Sequence, residues 1–303
     1  MELKPLTPQD YPDYKKYFKN QPYHLCSYSL SSIIAWKNSD YQPMACIWKD
    51  TLIIAAEFRK NKSRRHLILP IAPPDVFPPE QLAQIANDLD YGEYWFVPQI
   101  YFDIHGRDIV EVYFDVEHHQ EYDDYIYLTS DLADLKGNKY SKKRNLIKQF
   151  NRTFTEANRV EIGPITPKDL EECLEFLEKW CEERDCDADP EEDLACEKIA
   201  AINTLTNIEL YEVKTLMLRI DGVVSAFGVS AFLNSQMATL QYEKAYNKIK
   251  GLSQYFDNQC AKRLFNGYTY INKESDMGIE GLAKAKKSYH PIHMVESFRL
   301  IRK

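Results

Sequence analysis

The spacing of hydrophobic and polar residues predicts both helices and strands in the second half of the chain. Apolar residues at helical spacing follow Thr166-Pro167, where threonine suits the N-cap and proline the first turn, so a helix is expected over about 167–184. Aliphatic and aromatic runs then alternate with the turn dipeptides Asp221-Gly222 and Asn234-Ser235. These runs predict three antiparallel strands, at 212–220, 223–233 and 236–243.

Further elements on both sides of these strands complete the order ααβββαβαβ. A second helix is predicted from Pro190 to about Leu205, behind an acidic loop that lacks the glycine and terminal glutamate of a calcium-binding loop and is interpreted as a solvated turn. The loop contains Asp185, Asp187 and Asp189. After the strands, the pattern predicts a helix at 252–265, a buried strand at 268–272, a helix at 278–287 and a last strand at 294–301.

The first half of the chain repeats this order more loosely. Helices are predicted after Thr7-Pro8 and over 28–36, followed by strands at 43–48, 51–58 and 66–69, a helix at 79–89 and a strand at 94–97. The shared order ααβββαβ suggests a structural duplication. We place the boundary near residue 155, so that 1–155 includes a basic linker helix at about 139–153 and 156–303 forms the second domain.

Composition limits the functions that fit this pattern. The chain has 303 residues and a net charge of −8, with 38 Lys plus Arg against 46 Asp plus Glu, so a polyanionic partner would need a local basic patch. The seven cysteines include no CxxC pair, and the histidines show no ligand spacing with them, so no metal site is expected. Without a secretory signal, and with polar residues interrupting the uncharged stretch 222–242, we predict no transmembrane segment and a cytoplasmic location.

A basic run from Lys139 to Arg152 is the first chemical candidate. It carries six basic residues and no acidic one, so Lys142, Lys143 and Arg144 are candidate ligands for phosphate or carboxylate. A solvated helix face at a domain seam explains the run equally well. Another basic run, 59–65, is better explained as a solvated loop.

The end of the central hairpin is the second candidate. Glu243 lies near the end of a predicted strand, and the loop and helix start that follow contain Lys250, Gly251 and Ser253. A strand, a loop and a helix amino terminus in that order can hold an anion, because the backbone N–H groups there are unpaired. An ordinary strand-to-helix turn is the favoured alternative.

The third candidate follows the buried strand at 268–272. Asn272, Glu274 and Asp276 precede a helix that carries Lys286 and, near its end, Tyr289. Two carboxylates could hold an ammonium, and a lysine beside a reacting carbonyl could stabilise an oxyanion. The alternatives are that Asp276 only caps the helix and that Tyr289 only packs against the core.

Together these stretches resemble a bacterial family related to the C-terminal catalytic domain of phosphatidylglycerol lysyltransferases. The motifs that carry the resemblance are Gly137-x-Lys-Tyr-x-Lys-Lys-Arg-Asn, Glu243-Lys244-Ala245, Lys250-Gly251-Leu252-Ser253, Asn272-x-Glu-x-Asp-x-Gly-Ile-x-Gly-Leu and Lys286-x-Ser-Tyr-x-Pro. The resemblance implies an α+β fold of two tandem GNAT-like (Gcn5-related N-acetyltransferase) domains, each a mixed, mainly antiparallel sheet flanked by helices. It places the site in the second domain, near splayed central strands.

The resemblance also implies an activity, since relatives of this class include Fem-type enzymes that transfer amino acids from aminoacyl-tRNA. The sequence departs from the family in two places: Ala283 stands where a basic residue is common, and the loop at 250–253 lacks the repeated glycines of an acetyl-CoA loop. The membrane-embedded domain of the lysyltransferases is absent from this sequence, which argues against a lipid acceptor.

The leading hypothesis is an acyl or aminoacyl transferase in which Glu243 is the base, Lys286 stabilises the oxyanion, and Tyr289 orients the acyl group or relays a proton. Asn272, Glu274 and Asp276 would bind the substrate, and the basic helix would meet the acceptor end of a tRNA donor. One alternative is acetyl-CoA-dependent N-acetylation of a small-molecule acceptor. The other is a non-catalytic protein that binds a small molecule or RNA, with its acyl pocket blocked by Tyr or Phe side chains.

Overall fold

Two seven-stranded sheets form the framework of the protein, which a computed structural model describes over residues 1–72, 75–183 and 193–303. In spatial order, the first sheet contains β1 (Lys4–Pro5), β2 (Tyr41–Trp48), β3 (Thr51–Phe58), β4 (His66–Leu67), β5 (Glu93–Pro98), β14 (Ser297–Arg302) and β6 (Phe114–His118). The second contains β13 (His293–Val295), β7 (Asp124–Leu128), β12 (Tyr270–Asn272), β11 (Met237–Ala245), β10 (Val223–Phe232), β9 (Lys214–Ile220) and β8 (Val160–Gly163). Both sheets are mixed and mainly antiparallel, which confirms the predicted α+β class.

Helices cover the sheets. The described helices are α1 (Tyr11–Phe18), α2 (Leu30–Ala35), α3 (Pro79–Asp88), α4 (Gln99–His105), α5 (Arg107–Tyr113), α6 (Thr129–Asp134), α7 (Ser141–Phe150), α8 (Leu170–Glu182), α9 (Asp193–Thr206), α10 (Leu252–Arg263) and α11 (Glu280–Lys287). A π-helical turn, Asn151–Thr155, extends α7. Over the described ranges, none of these helices combines the length and the apolar character needed to cross a membrane.

The two sheets are built in the same way. In each, three antiparallel strands lead through one helix to a fourth strand that lies parallel to the third: β2, β3, β4, α3 and β5 in the first sheet, and β9, β10, β11, α10 and β12 in the second. The neighbour of that fourth strand comes from elsewhere in the chain. It is the last strand, β14, in the first sheet and β7 in the second. The duplication predicted from element order is therefore present in the topology.

Several details differ from the sequence prediction. The last strand expected at 294–301 is two strands in different sheets: β13 pairs with β7 as far as Val295, and β14 begins at Ser297, whose backbone N–H is held by the Asp123 carboxylate at 2.9 Å. The elements α4, α5, β6 and β7 were not predicted. The chain passes from the first sheet to the second between β6 and β7, whereas the domain boundary was predicted near 155. The acidic loop and the start of the helix predicted at Pro190 lie outside the described residues.

The second sheet has a different helix layer on each face. On one side, which we call the α10 face, α6, α7 and α10 pack on residues such as Leu240 and Ile271. On the other, the α9 face, α8 and α9 pack on residues such as Phe227 and Tyr242. The helix α2, from the first half of the chain, packs against α9.

Candidate functional site

An opening between β11 and β12 is the centre of the candidate site. The two parallel strands pair only as far as Thr239 and Asn272, after which β11 continues to Ala245 while the other chain turns away through Glu274, whose φ is 58°. Just beyond this point β11 has a bulge, because Leu240 and Tyr242 face consecutive residues of β10 and Gln241 is the extra residue. Side chains of both strands therefore line a gap in the middle of the sheet.

Three charged side chains meet on the α10 face of this opening. Glu243 from β11 lies 3.5 Å from the Lys273 ammonium, which also forms an ion pair with Asp257 of α10. Asp257 is buried, and its second carboxylate oxygen has no hydrogen-bond partner within the described residues. Burial and the charge of Asp257 raise the pKa of Glu243 to about 8, although Lys273 opposes the shift. A carboxyl group with that pKa can accept a proton near neutral pH.

Tyr289 lies beside this cluster, between two ammonium groups. The nitrogen of Lys143 lies 3.6 Å from its ring centre and that of Lys273 lies 4.9 Å from it. Lys143, which comes from α7, also donates a hydrogen bond of 2.8 Å to the Ser288 hydroxyl. Burial lowers the pKa of Lys143, since it disfavours the charged ammonium. The structure thus brings three of the predicted residues together: Glu243, Tyr289 and Lys143.

Lys286 holds the loop after β12. Its ammonium donates to three backbone carbonyl oxygens, those of Lys273 at 2.5 Å, Glu274 at 3.1 Å and Ser275 at 2.5 Å. All three N–H donors of the ammonium are therefore occupied by the loop. The contacts found for Lys286 are structural, and its proposed role at an oxyanion stays a prediction.

Asn272 and Asp276 also anchor this loop. The fully buried amide of Asn272 donates to the His24 carbonyl at 2.9 Å and to Asp124 at 2.7 Å, and its oxygen accepts from the backbone N–H of Glu274 at 2.7 Å. Asp276 accepts from the Tyr125 hydroxyl at 2.5 Å and from the N–H of Gly278 at 2.9 Å. Both predicted substrate ligands therefore have protein partners already.

Glu274 points towards the α9 face and has no comparable partners. The charges that act on it most strongly are those of Lys286, Asp124, Glu197 and Lys244, and the described residues offer its carboxylate no hydrogen bond. Burial raises the pKa of Glu274 well above its ordinary value. Lys244 and Glu197 form a separate ion pair of 2.6 Å, and Asp124 is held by donors from Cys26 and Asn272.

The basic helix and the loop before α10 lie apart from the opening's charged cluster, except for Lys143. Arg144 donates to the carbonyl groups of Leu135 and Gly137, which follow α6, whereas Lys142 is exposed. Gly251, with φ of 82°, packs against α7 so closely that an added Cβ would lie 2.3 Å from the Leu146 carbonyl oxygen.

Next to Gly251, the π-helical turn and the loop enclose a cleft of about 460 Å³. Its lining includes Arg152, Lys248 and the predicted residue Lys250. Ser253, in the first turn of α10, is half-buried. The strongest candidate for phosphate binding in this region is thus the cleft, which shares only Lys250 with the predicted ligands.

Sequence reasoning missed Asp257, Lys273, Asp124 and Gln241. A signal for Asp257 was present, since it is an acidic residue among the apolar positions of a helix that also carries Tyr255, Phe256 and Cys260. Lys273 was inside the quoted motif at a position treated as variable. Asp124 and Gln241 gave no local signal, because their importance depends on contacts between the two halves of the chain.

Residues 100–301, about two thirds of the chain, match the family model described as "Phosphatidylglycerol lysyltransferase, C-terminal". The chain belongs to this family. The match includes every residue of the opening and begins after β5, so most of the first sheet lies outside it. No curated protein matches the chain.

Several solved structures are similar to the chain. A protein of unknown function from Bacteroides thetaiotaomicron is 29% identical and superimposes with a TM-score of 0.87 over 100% of both chains. The C-terminal domain assigned to a lysylphosphatidylglycerol synthetase from Agrobacterium fabrum has the same fold at 11% identity, with a TM-score of 0.62 over 90% of this chain and 86% of that one. A tandem GNAT protein from the clavulanic acid biosynthesis pathway also matches, at 8% identity and a TM-score of 0.46, over 99% and 98% of the two chains.

Proposed function

We propose that this member of the family is an aminoacyltransferase that works in the opening between β11 and β12. The observation that carries the proposal is the Glu243 carboxyl at the opening, with a pKa near 8 set by burial and by Asp257. Transfer of an acyl group to an amine or hydroxyl requires removal of a proton from the acceptor as it attacks the carbonyl. Glu243 would remove that proton and pass it to the leaving oxygen of the carrier as the original acyl bond breaks. Lys273 and Asp257 would set the basicity of Glu243.

The opening also offers a place for the negative charge that develops on the carbonyl oxygen. Beyond Thr239, the edge of β11 that faces β12 has no strand partner, although β10 remains paired on the other edge. Alternate residues of a strand direct their N–H groups to the same edge, so unpaired backbone donors point into the opening. Such fixed donors stabilise an oxyanion without reorganising during the reaction. These backbone donors could stabilise the oxyanion in place of Lys286, whose own donors are bonded to the loop after β12.

The carrier of the acyl group would lie across the basic cleft. Arg152, Lys248 and Lys250 line it, and these cations suit the phosphates of the acceptor end of a tRNA. Acetyl-CoA would use the same phosphate chemistry. It remains the second candidate donor, because the cleft adjoins the amino terminus of α10, where backbone N–H groups favour a pyrophosphate.

A donor-consumption assay tests the proposal. Purified protein is incubated with a pool of charged tRNAs and, separately, with acetyl-CoA, together with a mixture of amine acceptors. Aminoacyl-tRNA should be deacylated in an acceptor-dependent manner by the native protein and not by Glu243→Gln. Consumption of acetyl-CoA alone would favour N-acetylation, and consumption of neither donor would favour a binding protein.

A further inference from the structure

A row of aromatic side chains crosses one face of the first sheet, away from the opening in the second. Tyr41, Phe58, His66 and Trp95 come from four adjacent strands, β2 to β5, and successive ring centres lie 5.4, 6.0 and 4.7 Å apart. Tyr122 extends the row, with its ring centre 6.1 Å from that of Trp95. We call these five residues the aromatic row.

The aromatic row lies on the face of the sheet that points away from α3. Tyr94, which precedes Trp95 in β5 and therefore points to the opposite face, donates from its hydroxyl to the Leu82 carbonyl of α3 at 2.9 Å. Within the row, His66 is buried and the other four side chains are half-buried. The row therefore presents planar apolar surface at the exterior of the protein.

The basic run 59–65, which the sequence suggested is a solvated loop, borders this row. The Arg64 guanidinium lies 4.8 Å from the ring centre of Phe58. Arg59, Lys62 and Arg64 are exposed, and the described residues provide none of the three with a carboxylate partner. Three cations without an ion pair inside the described structure thus lie at the edge of a partly exposed aromatic surface.

Backbone hydrogen bonds hold this basic loop in position. The N–H of Arg59 donates to the Asp40 carbonyl at 3.0 Å, and the N–H of Lys60 donates to the Asp40 carboxylate at 2.7 Å. The side-chain oxygen of Asn61 accepts from the N–H of Ser63 at 3.1 Å. The loop therefore presents its cations from a fixed backbone, which lowers the entropy lost when a ligand binds.

We propose that the aromatic row and the basic loop form a binding surface for a short single-stranded RNA. Unpaired bases stack on aromatic rings and on arginine guanidinium planes, and the phosphates between them attract lysine and arginine. In a chain of net charge −8, unpaired cations beside planar rings suit a polyanion that also carries planar groups. The surface goes beyond the proposed function, because it lies on the first sheet and is not needed for the transfer step.

Carboxylates on the same face favour RNA over DNA. The Arg299 guanidinium lies 5.5 Å from the ring centre of Trp95 and forms ion pairs with Glu93 and Glu117. The Glu117 side chain is exposed. Carboxylate oxygens accept hydrogen bonds from hydroxyl groups, and the ribose 2′-hydroxyl is a donor that deoxyribose lacks.

Fluorescence anisotropy with a labelled single-stranded RNA of about eight nucleotides tests this surface. Native protein should bind at low salt with a Kd in the micromolar range. The slope of log K against log salt concentration should be about −2, because each of three phosphate contacts contributes about −0.7. The variant Arg59→Gln/Lys62→Gln/Arg64→Gln should bind at least about 10-fold more weakly, with a slope near zero.

A second triple variant removes the same charge from the helices of the second sheet. Lys168→Gln/Lys179→Gln/Lys262→Gln changes three exposed lysines and should bind the RNA as native protein does. Phe58→Leu tests stacking separately from charge. Its affinity should fall about 5- to 100-fold, the range expected for one stacking ring, while the salt slope stays at the native value.

Cross-linking of an RNA that contains 4-thiouridine, followed by mass spectrometry, locates the contact in native protein, so a misfolded variant cannot mimic the result. Cross-links should map to β3, β5 or the loop 59–65. Cross-links confined to α7 or to the basic cleft would overturn the surface, as would equal binding by native protein and the first triple variant. DNA of the same sequence should bind more weakly. Equal binding of DNA would overturn the assignment to RNA, and tighter binding of polyglutamate would indicate an acidic protein partner instead.

Glu243→Gln separates this surface from the proposed function. This variant should bind the RNA as native protein does, because Glu243 lies in the second sheet. Native protein that transfers an acyl group but binds no single-stranded RNA would refute the surface alone. Native protein that binds the RNA at the aromatic row but transfers nothing would refute the transferase alone.

Discussion

The two sheets differ in the side chains at one equivalent position. This is the gap between the third antiparallel strand and the parallel strand beside it, β4 and β5 in the first sheet and β11 and β12 in the second. In the first sheet, β4 and β5 pair only at Leu67 and Tyr94, and the chain after β4 meets buried tyrosines. The Tyr28 hydroxyl lies 3.3 Å from the backbone nitrogen of Leu69, and the Tyr23 hydroxyl lies 3.5 Å from the carbonyl oxygen of Pro70. In the second sheet, the corresponding gap is lined by charges.

Under the proposed function, this difference assigns support to the first gap and chemistry to the second. Tyrosine rings pack at the first gap, and their hydroxyl groups form hydrogen bonds with the backbone of Leu69 and Pro70. That sheet therefore gains packing without burying a charge. The second gap buries the ionisable groups Glu243, Asp257 and Lys273, an arrangement that stabilises little but shifts a pKa towards neutrality.

Replacing Glu243 by Gln gives the largest expected effect. The rate of transfer should fall about 10²- to 10⁴-fold, because general base catalysis contributes a factor of that size, while the unfolding midpoint stays nearly constant. In native protein the rate should rise with pH through about 8, since the group must lose its proton to act, and the variant should lack this rise. If the variant transferred at the native rate, Glu243 would not be the base and the second gap would not be the site of the reaction.

Lys286→Met tests whether the loop after β12 depends on its hydrogen bonds with the Lys286 ammonium. Three carbonyl oxygens and the Glu274 carboxylate would lose the nearby charge, so we expect a loss of about 3 kcal/mol in the free energy of unfolding, measured by urea denaturation. Lys287→Met, an exposed neighbour on α11, is the control and should change little. A fully stable Lys286→Met protein that has lost transfer would instead support a role for Lys286 in stabilising the oxyanion.

Gly251→Ala tests the contact between α7 and the second sheet. The added Cβ would meet a backbone oxygen at 2.3 Å, and its φ of 82° is unfavourable for alanine, so a destabilisation of about 2 kcal/mol is expected. Gly222→Ala, which also has a positive φ but an open surrounding, separates backbone strain from steric overlap. Equal losses in the two variants would mean that the α7 contact contributes nothing.

The smallest effect is expected in the first gap. Tyr28→Phe removes the hydroxyl partner of the Leu69 nitrogen and should cost about 1 kcal/mol of stability, measured by thermal or urea unfolding, with transfer activity unchanged. Loss of activity without loss of stability would show that the first gap takes part in the reaction, and the contrast between the two sheets would then fail.

Local sequence patterns predicted most elements and part of the site. The repeated order of helices and strands indicated the duplication. Short motifs located Glu243 and Tyr289, because each lies near a recognisable end of a strand or helix. The partners of these residues were harder to find. Asp257 lies inside a helix that packs as core, and Lys273 meets Glu243 and Asp257 only because of the path of the chain after β12.

Strand pairing was the main feature that local pattern could not determine. The run Asp124–Leu128 is a short apolar segment, and its neighbours β12 and β13 lie more than a hundred residues away in sequence. The segment 294–301 was predicted as one strand, but nothing within it indicates that it forms two strands in different sheets. Such choices depend on long-range packing rather than on periodicity.

The strands β7 and β14, each of which joins a sheet formed mainly by the other half of the chain, also affect how the protein folds. The first sheet is complete only when β14, which follows every strand of the second sheet in the sequence, inserts between β5 and β6. Pairings of such long sequence separation are slow to form because the loop must close before any contact is gained. Neither 1–155 nor 156–303 therefore contains a complete sheet, because a cut near residue 155 would remove β14 from the first sheet and β7 from the second.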